Sequence, residues 1–238
     1  MDFVGLAERM RQEAGLEDVA VITTLVSATD TKLKIKNWIN EAWRDIQLET
    51  NLWKWMKKSS TFNISSATRT YSESTIQGTI SDYRVALVGK LGSPRYPVRI
   101  HLSATGLSDQ RPLEYVEYED WYGYYDSGVI TDTGYPIKFT IQDDGTWEFE
   151  QTPDDTYVIT VPYSKSIQDL SSNTDAPNTV GFAADYHMLI VYAAIRKYGG
   201  HDEAITVAAY HDSEYKRLHE AVRRLYAPRV HKRTYWPG

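Results

Sequence analysis

The sequence has no cysteine among its 238 residues. That absence removes disulfides, thiolate metal centres and cysteine nucleophiles together, and fits a reducing compartment or a particle assembled in one. There is no run of about 18 apolar residues, so no membrane-spanning helix is expected. The opening stretch MDFVGLAERMRQEAG mixes charged with apolar residues and lacks the basic and apolar regions of a signal peptide, so secretion is not expected. Phosphate-binding grammar is missing too. LVGKLGSP holds a Gly-Lys pair without the preceding glycine or the following hydroxyl residue of a P-loop, and reads as a turn. No G-x-S-x-G positions a hydrolase serine, and the HDE at 201–203 and HE at 219–220 lack the second histidine of a zinc hydrolase. No repeat of 20 to 50 residues is visible.

Aromatic residues are abundant, and they cluster. Four of the seven tryptophans, Trp38, Trp43, Trp53 and Trp55, fall in WINEAWRDIQLETNLWKW. Charge is uneven as well. The net charge is -6, yet residues 109–155 hold thirteen Asp and Glu against Arg111 and Lys138, while residues 223–238 hold Arg223, Arg224, Arg229, Lys232 and Arg233 with no acid. An acidic middle and a basic end on one chain suit self-assembly or docking between differently charged surfaces.

Residues 2–14 place Phe3, Leu6, Ala7 and Met10 at helical spacing behind Asp2 as N-cap, with Gly15 ending the helix. A second helix from Asp30 carries Ile35, Trp38, Ile39, Ala42, Trp43 and Ile46 as one stripe. Trp53, Trp55 and Met56 lie past that stripe and are expected in a core where this helix meets the following strands. From Ser59 to about Ile167 the pattern changes to alternation with turn punctuation. In PIKFTIQDDGTWEFEQTPDDTYVITVPYS, an Asp144-Gly145 hairpin and a turn at 153–155 predict an antiparallel meander. Residues 168–181 read as a polar loop. Phe182 to Tyr198 then predicts a buried helix stopped by Gly199-Gly200, and a last helix runs to Tyr226 before Pro228.

The expected fold class is α+β: a helical bundle from N- and C-terminal helices with an inserted antiparallel β-sheet region. The boundaries are 1–58 for the N-terminal helices, 59–167 for the inserted region, 168–227 for the C-terminal helices and 228–238 for an extended arm. The expected bundle core includes Trp38, Trp43, Ile46, Tyr186 and Ile190.

The search for chemistry finds little. His187, His201, His211 and His219 lie in helical sequence without ligand spacing, and Asp143-Asp144 and Asp154-Asp155 sit in turns that favour Asp for backbone reasons, although either pair offers oxygens to a structural calcium ion. Glu114, Glu117, Glu119 and Asp120 among Tyr115, Tyr118, Trp121 and Tyr122 superficially match the paired carboxylates and aromatic platforms of a glycosidase, and an edge strand with a mixed face explains the same residues. The tail RVHKRTYWPG mixes cations with Tyr235 and Trp236. With a pI near 5.5 and no basic face elsewhere in the sequence, duplex binding is not expected, and an arm docking on a neighbouring protein fits better.

FVGLAERMRQEAGL, IKNWINEAWRDIQLETNLWKWM, PIKFTIQDDGTWEFEQTPDDTYVITVPY and FAADYHMLIVYAAIRKYGG together resemble tailed-bacteriophage head-to-tail adaptors along nearly the whole chain. The resemblance implies a non-enzymatic structural protein without cofactor or metal, one copy per portal subunit in twelvefold rings. It implies portal, tail or nozzle proteins and further copies of the chain as partners, DNA passing through the lumen without sequence-specific binding, and no membrane. The location implied is the portal vertex of a virion assembled in the host cytoplasm. The portal or neighbour docking arm is expected to use Arg229, His231, Lys232, Arg233, Tyr235 and Trp236. Glu117, Glu119, Asp120, Trp121 and Tyr122 are the expected tail-facing or inter-subunit patch. The alternative function is a glycan-binding or glycan-cleaving tail component acting through Glu117 or Glu119.

Overall fold

The computed structural model describes residues 1–50, 53–88, 97–125, 132–201 and 204–227. In chain order, helices α1 (Phe3–Glu13) and α2 (Asp30–Leu48) precede strands β1 (Lys57–Ile64) and β2 (Thr70–Tyr71). Helix α3 (Glu73–Thr79), strands β3 (Tyr83–Ala86), β4 (Val98–Leu102) and β5 (Arg111–Tyr115) and helix α4 (Tyr118–Tyr125) follow. Then come β6 (Thr133–Gly134), β7 (Lys138–Ile141), β8 (Trp147–Phe149), β9 (Thr152–Pro153) and β10 (Tyr157–Lys165). Helices α5 (His187–His201) and α6 (Ile205–Tyr226) close the series. The chain divides into two compact units: its first 56 residues with the segment from Ile167 onward, and Lys57–Ser166.

In the first unit, Asp2 caps α1 by accepting the Gly5 N–H at 2.8 Å, and Phe3, Leu6, Ala7 and Met10 are buried. Helix α2 buries Ile35, Trp38, Ile39, Ala42, Trp43 and Ile46 along one face. An aromatic column extends that face. The ring of Trp43 stacks on Trp55 at 5.4 Å, Trp55 on Trp53 at 6.3 Å, and Phe182 packs against Trp43 at 5.3 Å. The tryptophans beyond the stripe therefore belong to the core of this unit, together with Met56, Leu189 and Ile190.

An ion pair on α1 ties down the first part of the connection to α2, and Asn173 accepts the Leu25 N–H farther along at 2.9 Å. Glu8 accepts from Arg11 Nη2 at 2.7 Å and from the Ile22 N–H at 2.9 Å, while Arg11 also donates to the Leu16 and Val19 carbonyls. The Arg11 guanidinium holds the Glu8 carboxyl at about 2, below its ordinary 4.5 and against the opposing effect of burial. A carboxyl whose folded pKa is depressed stabilises fully above its unfolded pKa and loses that contribution as the pH falls towards the folded value. Glu8→Gln should lower stability at pH 7 by about 2 kcal/mol, discounted because the pair is partly solvated. Thermal melts of variant and wild type should converge between about pH 4.5 and 2; a gap unchanged at low pH would refute the assignment.

The second unit corrects the expected fold. Its main sheet has eight strands in the order β1-β10-β4-β5-β7-β8-β2, with β3 also paired to β10, and a separate two-stranded sheet joins β6 to β9. It is mixed: β5 pairs with β7 in parallel, as does β6 with β9. Helices α3 and α4 also fall within this stretch, so the helices are not confined to the chain's two ends. Six helices with a large mixed sheet replace the helical bundle with an inserted antiparallel sheet. The β7–β8 hairpin pairs Phe139 with Phe149 and Ile141 with Trp147, turning at Gly145 with φ +81°. β10 does not continue it as a meander; it pairs with β1, β3 and β4 instead. The residues between β5 and β7 form a crossover long enough to reverse direction, and a crossover of that kind permits a parallel pair.

The Gly199-Gly200 pair does not stop α5 as expected. Gly199 and Gly200 lie inside α5. A Cβ at Gly199 would meet the Ala208 Cβ at 2.4 Å, so glycine at 199 permits close approach of α5 and α6.

Candidate interaction surfaces

Helix α2 carries two of the chain's polar contact zones on different flanks. On one, Asn40 accepts the Leu170 N–H and donates to the Leu170 carbonyl, both at 2.9 Å. Two turns on, the buried Gln47 accepts the Gln168 N–H at 3.0 Å and donates to its carbonyl at 3.1 Å. Between them Arg44 meets Asp169 at 2.6 Å. The stretch 168–170, read from sequence as a polar loop, is laid along α2 by side-chain amides that take the place of a neighbouring strand.

The other flank borders a cleft of 490 Å³ with an apolar floor of Ala42, Ile46 and Ala193. Lys197 bridges Asp45 at 2.8 Å and Glu41 at 3.6 Å, and Glu49 meets His219 at 2.8 Å and Arg223 at 3.5 Å. The Arg196 guanidinium lies 4.2 Å from the Tyr215 ring centre, and Tyr215 stacks on His219. Each charge here has an opposite partner, so the cleft wall is a tied network.

The histidines do not converge. His187 is fully buried and stacked on Phe182, His211 approaches the Glu13 carbonyl at 3.1 Å, and His219 faces Glu49. Among the described residues no three His, Asp or Glu form a group able to hold a metal ion. The paired aspartates serve the turns. Asp144 accepts the Thr146 N–H at 2.8 Å, Asp155 accepts that of Thr156, and Asp154 accepts the Tyr157 hydroxyl at 2.5 Å. Burial, and then the Asp154 hydrogen bond, push that hydroxyl's pKa up.

The expected sites are placed as follows. Trp38, Trp43, Ile46 and Ile190 are buried in the core of the first unit, and Tyr186 packs against it half-buried. In α4, Glu119, Asp120 and Tyr122 are exposed, Glu117 just before the helix is half-buried, and Trp121 is only 1 % exposed. Helix α4 packs on β7, and Tyr118 meets Tyr122 edge-on at 6.4 Å. Burial of Trp121 removes it from any sugar platform. Glu114 and Tyr115 belong to β5, and the Tyr115 ring packs at 5.5 Å on Phe139 of the second unit's core. Arg229, His231, Lys232, Arg233, Tyr235 and Trp236 lie outside the described residues.

The described surfaces offer exposed charge, one cleft with a tied wall and half-exposed aromatics. Residues 1–234 match the family model described as SU10 adaptor protein, and the chain belongs to that family of phage head-to-tail adaptors. It is a structural adaptor and a virion component. No curated protein matches the chain.

Proposed function

We propose that this adaptor forms a twelvefold ring under the portal, extends the DNA channel and presents the platform on which the tail or nozzle assembles. The observation that carries the reading is the family match over residues 1–234. The charge distribution supports it, because a closed ring uses two different complementary patches on each subunit. Acidic side chains facing a lumen would let DNA slide, whereas cations there would hold phosphates in a salt-dependent way. Glu117, Glu119, Asp120 and Tyr122 form the tail-facing or inter-subunit patch, with Trp121 anchoring it from beneath. The arm 228–238 docks on the portal through Arg229, Lys232, Arg233, Tyr235 and Trp236, with His231 among them. Assembly takes place in the host cytoplasm.

Electron microscopy of the chain mixed with its portal tests the reading. A collar of matching symmetry added to the portal is the expected result, and portal rings left bare at high protein concentration and low salt would overturn it. Deleting residues 229–238 should abolish the collar while leaving the thermal melt unchanged. A full collar from the truncated chain would show that the arm is not the docking element.

A further inference from the structure

β1 ends the order of the main sheet, with β10 on one side and no described strand on the other. The bonds of β10 show which backbone groups of β1 are taken. Thr156 and Pro162 of that strand turn their carbonyls to the other side, where they accept the Ser103 and Leu87 N–H groups at 3.0 and 2.8 Å. Backbone groups alternate sides along a strand, so Tyr157, Ile159, Val161 and Tyr163 face β1. Their register partners there are Ile64, Phe62, Ser60 and Lys58. The N–H and C=O groups of Ser59, Thr61 and Asn63 therefore point away from the sheet. These three residues are exposed and have no hydrogen-bond partner among the described residues.

Natural edge strands are commonly blunted by a proline, a bulge or a charge. Between Ser59 and Asn63 the sequence SSTFN holds neither proline nor charge, and the register with β10 runs unbroken from Lys57 to Ile64. The two ends of the strand differ in sign. Lys57 and Lys58 open it. At its far end Ile64 pairs with Tyr157 and the Ala67 N–H donates to the Pro153 carbonyl at 2.9 Å, which places the turn with exposed Asp154 and Asp155 beside it. Lys58 already meets Asp82 at 2.9 Å, so charge sets the direction of a contact at this edge and backbone groups supply its strength.

We infer that β1 pairs antiparallel with the β1 of a second copy, about a two-fold axis at Thr61. Thr61 then faces its own counterpart, and Ser59 faces Asn63 on either side of the axis. The outward groups of these residues exchange about six hydrogen bonds, two for each opposed pair. The side chains match as well, because Thr opposite Thr and Ser opposite Asn can hydrogen-bond across the strands. Each Lys57-Lys58 end meets the Asp154-Asp155 end of the other copy, whereas parallel pairing would set lysines beside lysines. A two-fold contact closes on itself at two copies and does not repeat round a cyclic ring. It therefore belongs to the chain before it reaches the portal, and it does not rest on the ring reading.

Thr61→Cys tests the axis. The chain has no cysteine, so a disulfide in this variant can only join two copies. Opposed residues of a hydrogen-bonded antiparallel pair have Cα atoms about 5.5 Å apart, inside the roughly 4.4–6.8 Å that a disulfide spans. In a glutathione redox buffer, T61C should convert to a covalent dimer on a non-reducing gel. Ser59→Cys should stay monomeric, because its two copies lie roughly 14 Å apart along the paired strands. T61C that forms no dimer, or S59C that links as fast, would overturn the inference. Thr61→Pro gives an independent readout: it removes one outward N–H from each copy and no bond to β10, a change that edge strands tolerate. Sedimentation of wild type from about 1 to about 100 µM should pass from monomer to dimer, and T61P should need at least about tenfold more protein. Wild type that stays monomeric throughout, or T61P that dimerises like wild type, would sink the two-fold contact. Should T61P fail to fold, the two cysteine variants decide.

Discussion

Trp43→Ala is expected to destabilise the helical unit by about 4 kcal/mol, a large part of the 5–15 kcal/mol that holds a typical domain folded. Trp43 is fully buried, stacked on Trp55 and packed against Phe182. Truncation opens a cavity in the middle of the aromatic column, and the ring contacts add to the loss of buried area. Trp43→Phe should cost much less. The Trp43 Nε1–H is buried without a partner among the described residues, so phenylalanine removes an unsatisfied donor along with some volume. Urea denaturation followed by circular dichroism separates the two variants. Equal losses would mean that the indole hydrogen is bonded after all.

The second large effect is expected at the amide seam. Asn40→Ala and Gln47→Ala should each cost about 2 kcal/mol, because each strands a backbone N–H and C=O of the segment beside α2. The double variant should lose less than the sum, since both side chains hold one short segment and its release at one point frees the other. Hydrogen exchange at the Gln168 and Leu170 amides is the direct readout. Both should lose protection in either single variant, and unchanged exchange would show that the segment is held by something else.

Helices and strands were legible in this sequence where a single periodicity persisted. The stripe from Ile35 to Ile46 repeats at three and four residues over three turns, and Ile137 to Phe149 alternates around a Gly turn, so local pattern was enough. The sheet's order was not legible, because alternation says which face a residue takes and nothing about which strand lies beside it. The parallel β5–β7 pair and the return of β10 to β1 depend on crossovers, which have no period to read. Gly199 looked like a helix stop because its neighbour across the gap, Ala208, is known only from packing. The amide seam was hidden for a related reason: Asn40 and Gln47 find partners some 120 residues away or more. Of the candidate surfaces, the exposed acids of α4 were visible as composition.

The adjacency of β1 and β10 bears on how the chain folds. The helical unit is built from two pieces separated by the 110 residues Lys57–Ser166. Bringing the ends of so long a flexible loop together costs about 4 kcal/mol in chain entropy, beyond a constant. Pairing Lys57 with Ser164 makes the first and last strands of that loop neighbours. Once the sheet has formed, α2 and α5 are joined by a short effective connection, and their packing no longer carries that closure cost. Folding should therefore run from the middle of the chain outward, with the sheet acting as the clasp that lets the two helical pieces find each other.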